Sequence, residues 1–319
     1  MLLERARSGD TRSISRLLTI VENDEPAAAE VMRELYPLTG AAQVIGITGP
    51  PGGGKSTLVS RLAGAYRELH DRVAVVAVDP SSPFTGGAIL GDRIRMRERF
   101  LDAGLFIRSM ASRGHSGGVA RATMRVVHVL DALGVATVLV ETVGVGQEEV
   151  DVVRVADTVC LVTVPGLGDD IQALKAGVLE IADVLVVNKA DRPGADEAVR
   201  DLAMMQSLGT PGGSGRQRGL EREGPRWRAP IVRTSAAENT GIDELMSAIA
   251  KHGVWARENG EQERRRRDAA RAEVETLLRE TLVRQVTDRI GTGAVDAAVA
   301  RVASRELDPY AAVEGLLGA

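Results

Sequence analysis

Gln43-Val44-Ile45-Gly46-Ile47-Thr48-Gly49-Pro50-Pro51-Gly52-Gly53-Gly54-Lys55-Ser56-Thr57 is the stretch that decides the fold. Gln43 to Thr48 is an apolar run of the length of a buried strand. Thr57 to Leu69 carries Leu58, Val59, Leu62, Ala63 and Tyr66 at helical spacing. Between them, Gly49 to Ser56 fits G-x-x-x-x-G-K-[ST]. A helix start presents unpaired N–H groups, and glycines let the backbone curl around phosphate oxygens. Gly49, Gly52, Gly53 and Gly54 therefore read as the phosphate cradle, and Lys55 as the cation that reaches the β/γ-phosphates. Ser56 offers a hydroxyl to Mg²⁺, and Thr57 completes the set at the opening of the helix. A mere Gly-rich turn requires none of this register.

Outward from this loop, apolar segments alternate with helical patterns. Arg72 to Val78, Leu105 to Ser109, Ala136 to Val140, Thr158 to Val164, Val184 to Val187 and Ile231 to Thr234 read as further strands. The repetition predicts an α/β fold, a P-loop NTPase with a mainly parallel sheet flanked by helices. Two apolar stripes before it, Ile14, Leu17, Leu18, Val21 and Ala28, Val31, Met32, Leu35, predict an N-terminal helical hairpin. A long helix from Glu261 carries Val274, Leu277, Leu278, Leu282 and Val286 on one side, a stripe that requires a partner. Residues Ala294 to Ser304 and Pro309 to Leu317 read as short terminal helices. The expected division is an N-terminal helical extension over 1–40, a P-loop domain over 41–256 and a C-terminal helical arm over 257–319. Gly209 to Pro230, dense in Gly, Pro and Arg, reads as a surface loop without a regular element.

Asn188-Lys189-Ala190-Asp191 follows the strand Val184 to Val187, so it stands at a carboxyl edge, where open α/β sheets bind ligands. It reads as N-K-x-D. A carboxylate at Asp191 can accept from the ring N–H and the exocyclic amine of guanine, a donor pair that adenine lacks. Ser235-Ala236, after the strand Ile231 to Thr234, reads as a loop flanking the base. The expected substrate and product are GTP and GDP. Lysine usage points the same way: the chain has four lysines, Lys55, Lys175, Lys189 and Lys251, among forty basic residues. Two stand in these motifs, which draws attention to Lys175.

Three carboxylates fall at strand ends or switch positions: Asp79 in Val78-Asp79-Pro80, Asp92 in Gly91-Asp92-Arg93, and Glu141 in Glu141-Thr142-Val143-Gly144. Each also suits a cap or a turn. A phosphoryl-transfer site needs carboxylates to hold Mg²⁺, directly or through water, and to position the attacking water. Glu141 stands where many GTPases carry the Asp of D-x-x-G, and its longer side chain points to a water-mediated metal contact. The Gly144 N–H then donates to the γ-phosphate.

A net charge of −4 argues against bulk nucleic-acid binding, and no apolar run is long enough to span a bilayer. The first ten residues contain acids and lack an apolar core region, so no targeting peptide is expected and the cytoplasm is the expected location. Arg264-Arg265-Arg266-Arg267, next to Glu261, Glu263 and Asp268 and without aromatics, reads as a solvated helix face. Cys160, the single cysteine, reads as a small core residue.

Four strings together carry a family resemblance. They are Asp79 to Pro83, Gly86 to Met96, Glu141-Thr142-Val143-Gly144-Val145-Gly146-Gln147, and Pro165-Gly166-Leu167-Gly168-Asp169-Asp170-Ile171-Gln172-Ala173-Leu174-Lys175-Ala176-Gly177. The chain resembles the methylmalonyl-CoA mutase-associated GTPases of the MeaB/ArgK/MMAA type over nearly its whole length. The resemblance implies a chaperone that hydrolyses GTP slowly and forms a homodimer through the C-terminal arm. It also implies gating of cofactor loading and protection for an adenosylcobalamin-dependent mutase, by default methylmalonyl-CoA mutase. By the same resemblance, Lys55 and Ser56 hold phosphates and Mg²⁺, and Asp79, Asp92 and Glu141 surround metal and water. Asn188 and Asp191 read guanine, while Gln172 and Lys175 belong to a third switch loop that couples the mutase to hydrolysis. The chain departs from the family at Gly212 to Arg228, and Trp227-Arg228-Ala229-Pro230 replaces the family's Trp-x-Pro-Pro.

Two rival activities lack support. A metal-inserting GTPase needs clustered soft ligands, and Cys160, His70, His115, His128 and His252 are scattered in sequence. A transport-linked kinase needs an acceptor pocket, for which no segment argues.

Overall fold

The computed structural model describes residues 2–80, 102–112, 118–142, 155–166, 181–208 and 225–318. The described strands form one seven-stranded parallel sheet in the order β3-β2-β4-β1-β5-β6-β7. They are β1 (Gln43–Thr48), β2 (Val73–Pro80), β3 (Leu105–Ser112), β4 (Thr137–Thr142), β5 (Thr158–Thr163), β6 (Val184–Val187) and β7 (Ile231–Arg233). Val-rich runs make these strands because both faces are covered: β4, β5 and β6 are buried at every residue. β1 lies in the centre between β4 and β5, in register Ile47↔Glu141 and Ile47↔Cys160. After β1 the chain lays down β2, β3 and β4 on one side, β4 returning beside β1, and then β5, β6 and β7 on the other. The carboxyl end of β1 is therefore the topological switch point, where such sheets bind ligands.

One face of the sheet, with Val44, Val76, Val78, Val138 and Val140, packs against N-terminal helices and α5 (Gly118–Ala132). The N-terminal segment contains three helices, α1 (Leu2–Arg7), α2 (Thr11–Glu22) and α3 (Ala28–Leu35), one more than the two apolar stripes predict. Leu17, Leu18 and Val21 of α2 are buried in this core. Asp131 of α5 fixes the chain just before β1, accepting from the amides of Gly40 (2.5 Å), Ala41 (3.2 Å) and Ala42 (2.9 Å).

The other face, with Ile45, Ile47, Val75, Leu139, Cys160 and Val162, packs against α4 (Lys55–Leu69) and α7 (Ile242–Glu258). Cys160 is buried there and burial pushes its thiol pKa up, so it is a packing residue. Leu161, Leu185 and Val187 pack with Leu202 of α6 (Ala195–Leu208).

The chain forms two compact units, Met1–Arg265 and Arg266–Ala319. The long helix α8 (Glu261–Ile290) begins in the first unit. The second holds the rest of α8 with α9 (Thr292–Ala303) and α10 (Pro309–Gly318). Of the α8 stripe, Val274 is 63% exposed, Leu278 56% and Leu282 51%.

The arginine run departs from expectation. Arg265 is a core residue, 6% exposed, and makes a two-pronged ion pair with buried Asp183 at 2.6 and 2.7 Å. Its Nε donates to buried Glu261 at 2.8 Å, and Nη1 donates to the Asp157 carbonyl at 2.9 Å. A helix of 3.6 residues per turn puts Glu261 and Arg265 on one face, and that face meets the amino edge of β5 and β6. Only Arg266 and Arg267 are on an exposed face.

Candidate functional site

The glycine loop leaves β1 through Gly49, whose φ is 137°. A Cβ there would come within 2.1 Å of the Val162 carbonyl oxygen, so the side chain must be hydrogen. Gly54 starts α4 in the left-handed region at φ 80°, where a Cβ would meet Asn188 Nδ2 at 2.6 Å. These two positions let the loop fold tightly over the helix start, where Lys55 and Ser56 are both buried. Lys55 Nζ donates to the carbonyls of Gly49 at 2.7 Å and Pro50 at 2.9 Å. The ammonium thus lies inside the loop, at the positive end of a helix, a place suited to an anion. Gly52 and Thr57 are exposed on its rim.

Glu141 is in the last turn of the pleat of β4 and shares the sheet face of Leu139. Its carboxylate is buried and accepts from Ser56 Oγ at 2.6 Å, across 85 residues of sequence. On the opposite face the next residue, Thr142, donates its hydroxyl to Thr48 Oγ1 at 2.9 Å, joining the ends of β4 and β1. Asp79 stands at the carboxyl end of β2 in register with Ala111. Asp92, Gly144, Gln172 and Lys175 lie outside the described residues.

The N-K-x-D loop arrives from β6 and clasps the glycine loop. Asn188, 1% exposed, donates from Nδ2 to the Gly53 carbonyl at 2.9 Å. Its Oδ1 accepts from Thr234 Oγ1 at 3.1 Å and from the Ala236 amide at 3.2 Å. Lys189, held at φ 56°, donates from Nζ to the Gly52 carbonyl at 2.7 Å. Asp191 is exposed. A hydrogen bond from the Ser235 side chain and one from its own backbone hold its carboxyl below the usual carboxylate range, with Arg192 and Lys189 adding to the effect. It is therefore an exposed, ionised acceptor. Ser235 and Ala236 are buried, and a backbone bridge from Ser235 to Thr240 closes their turn.

The structure thus brings Lys55, Ser56, Glu141, Asn188, Lys189, Ser235 and Ala236 to one edge of the sheet, from four separate stretches of chain. Thr48, Thr142 and Arg61 also belong to this edge, and sequence reading did not single them out. Threonine at a strand end and arginine on a helix carry no signal until their partners are known. No cluster of three or more His, Cys, Asp or Glu able to hold a metal occurs among the described residues.

Comparison with known proteins agrees with this geometry. The profile described as "Methylmalonyl Co-A mutase-associated GTPase MeaB" matches residues 14–290. A Pyrococcus abyssi protein named as a GTPase is 48% identical over 316 residues, covering 99% of this chain and 95% of its own. The Caenorhabditis elegans "Methylmalonic aciduria type A homolog, mitochondrial" is 32% identical over 285 residues, covering 84% and 69%. Among solved structures, the crystal structure of a LAO/AO transport system kinase superposes with a TM-score of 0.69 at 24% identity, covering 99% of this chain and 95% of that one. This last likeness concerns the fold.

Proposed function

Since the chain belongs to the methylmalonyl-CoA mutase-associated GTPase family and is a P-loop GTPase, we propose that its hydrolysis of GTP serves an adenosylcobalamin-dependent mutase, gating cofactor loading and protection. Methylmalonyl-CoA mutase is the first client to test, because the family profile is named for it. The single observation that carries the reading is the family match across residues 14–290, with the guanine and phosphate loops locked together at one sheet edge.

In this reading Lys55 exchanges its bonds to the Gly49 and Pro50 carbonyls for phosphate oxygens as GTP enters. Asn188 and Lys189 keep the glycine loop in register with the base loop. Asp191, already ionised, accepts from guanine. Mg²⁺ fits the donors present, since the Ser56 hydroxyl and the Glu141 carboxylate are hard oxygen ligands converging beside the phosphate loop. Ser56 would hold the ion, with Glu141, Asp79 and Asp92 around it. When bound, it supplies positive charge next to the phosphates. The exposed stripe Val274, Leu278 and Leu282 is assigned to contact with a second copy, giving a homodimer.

Lys175 and Gln172 are assigned to a loop that the client moves toward the phosphates. GTP hydrolysis measured with and without purified methylmalonyl-CoA mutase tests this. The mutase is expected to raise the rate, and Lys175→Ala to abolish the increase while leaving the unstimulated rate nearly unchanged. A hydrolysis rate and GDP affinity indifferent to the mutase would refute the client assignment.

A further inference from the structure

Arg61 projects from α4 six residues beyond Lys55, and neither phosphate chemistry nor the guanine motif uses it. Half-buried, it donates from Nε to the Ala236 carbonyl at 2.9 Å and from Nη2 to the Ala237 carbonyl at 3.3 Å. It therefore grips the base-flanking turn from the outside, while Asn188 grips it from the inside through the Ala236 amide at 3.2 Å. The Glu238 amide is directed to Ser235 Oγ at 3.4 Å. A trans peptide is planar, with its carbonyl and the next N–H on opposite sides. Anchoring the Ala236 carbonyl on Arg61 thus fixes the Ala237 N–H facing away from Arg61.

We propose that Arg61 is a positioning residue for base recognition: it orients the Ala236–Ala237 peptide so that the Ala237 N–H meets the oxo group at position six of guanine. Asp191 reads the amino side of the base and the anchored turn reads the oxo side. Donor and acceptor edges are thereby sensed by separate elements, one on the loop after β6 and one held by α4. The inference rests on guanine binding at Asp191 and adds the side chain that holds the base-flanking turn in place.

Calorimetric binding of three ligands separates the possibilities: GDP, inosine diphosphate, which lacks the amino group, and 2-aminopurine riboside diphosphate, which lacks the oxo group and with it the ring N1–H. Arg61→Met keeps the aliphatic stem and removes the donors. It is expected to weaken GDP and inosine diphosphate alike by about 3- to 10-fold, the value of one or two neutral-acceptor hydrogen bonds, and to leave the 2-aminopurine ligand unchanged. Arg61→Lys, which restores a single donor, is expected to fall between Arg61→Met and the parent, and it carries the comparison if Arg61→Met does not fold. A GDP affinity within about twofold of the parent, or an equal loss on all three ligands, overturns the proposal by showing no role or merely a loosened loop. A parent protein that does not prefer GDP to ADP breaks the guanine reading itself, a distinct outcome.

Discussion

The two edges of the sheet both bury polar groups, in different ways. At the carboxyl edge the polar contacts are made largely to backbone: Lys55 to Gly49 and Pro50, Lys189 to Gly52, Asn188 to Gly53, Arg61 to Ala236. At the amino edge of β5 and β6 they centre on a buried pair of charged side chains, Asp183 and Arg265. Asp183 accepts from Arg265 and from the Val159 amide, His252 Nδ1 is 2.8 Å from Thr158 Oγ1, and His252 Nε2 is 3.3 Å from Asp183. Trp227 donates from Nε1 to the Asp183 carbonyl at 2.8 Å, and the rings of Trp227, His252 and Trp255 pack together. Bonds of a lysine to carbonyls can be exchanged for bonds to a phosphate at small cost. A buried carboxylate paired with a guanidinium has no such substitute. The first edge is built to accept a ligand, the second to hold the root of α8.

The largest expected effect follows at the amino edge. Arg265→Ala leaves the Asp183 charge buried without its guanidinium, while Glu261 keeps Arg264 at 2.6 Å, and should destabilise the protein by about 3–5 kcal/mol, read from urea unfolding. Lys55→Ala at the other edge should abolish GTP hydrolysis with far less loss of stability. Equal destabilisation by the two would erase the contrast between the edges.

Truncation sharpens it further. A chain ended near Arg257 loses Glu261 and Arg265 and exposes Asp183 to the same penalty, so it should be poorly folded. A chain ended after Arg267 keeps the compact unit Met1–Arg265 and should bind GDP as a monomer. Light scattering and GDP titration of both check this. A dimeric chain ending at Arg267 would place the self-association surface in the first unit.

A smaller effect is expected at the base. Asp191→Asn should weaken GTP binding by about 1–3 kcal/mol through a lost charged hydrogen bond, and shift preference toward xanthosine nucleotides. Competition between GTP and XTP measures it, and an unchanged ratio would remove Asp191 from base recognition.

The smallest concerns His252. Burial lowers its pKa below the ordinary 6.5; nearby Asp183 opposes that shift and Arg265 adds to it, while Glu261 and Asp157 oppose it more weakly. The unfolded chain therefore takes up the proton first. The stability from neutral His252 is complete above about pH 6.5 and is lost as the pH falls from there through the lower folded value. Unfolding free energy measured across this window should decline with falling pH, and His252→Gln should flatten the decline. A stability that rises on acidification would contradict the sign.

Much of this was legible in the residues. β1 and β6 have the limits that their apolar runs predict, and the glycine loop, Asn188 and Lys189 lie together at one edge. Phosphate binding constrains the backbone itself, so it demands particular residues in consecutive positions, and a consecutive pattern is visible in a one-dimensional string. Arg265 was misread because its charge and its charged neighbours describe a solvated helix equally well, and its acidic partner Asp183 is 82 residues away.

By itself, the sequence determined the alternation of strands and helices and the position of the glycine loop between β1 and α4, because each rests on local periodicity or short-range sterics. Only the tertiary structure decided that Ser56 meets Glu141, that Thr48 meets Thr142, that Arg61 anchors the Ala236–Ala237 peptide and that Arg265 lies in the core. Those pairings depend on strand order and helix register, which bring distant residues within hydrogen-bond reach, and a side chain's chemistry does not state its distance from its partner.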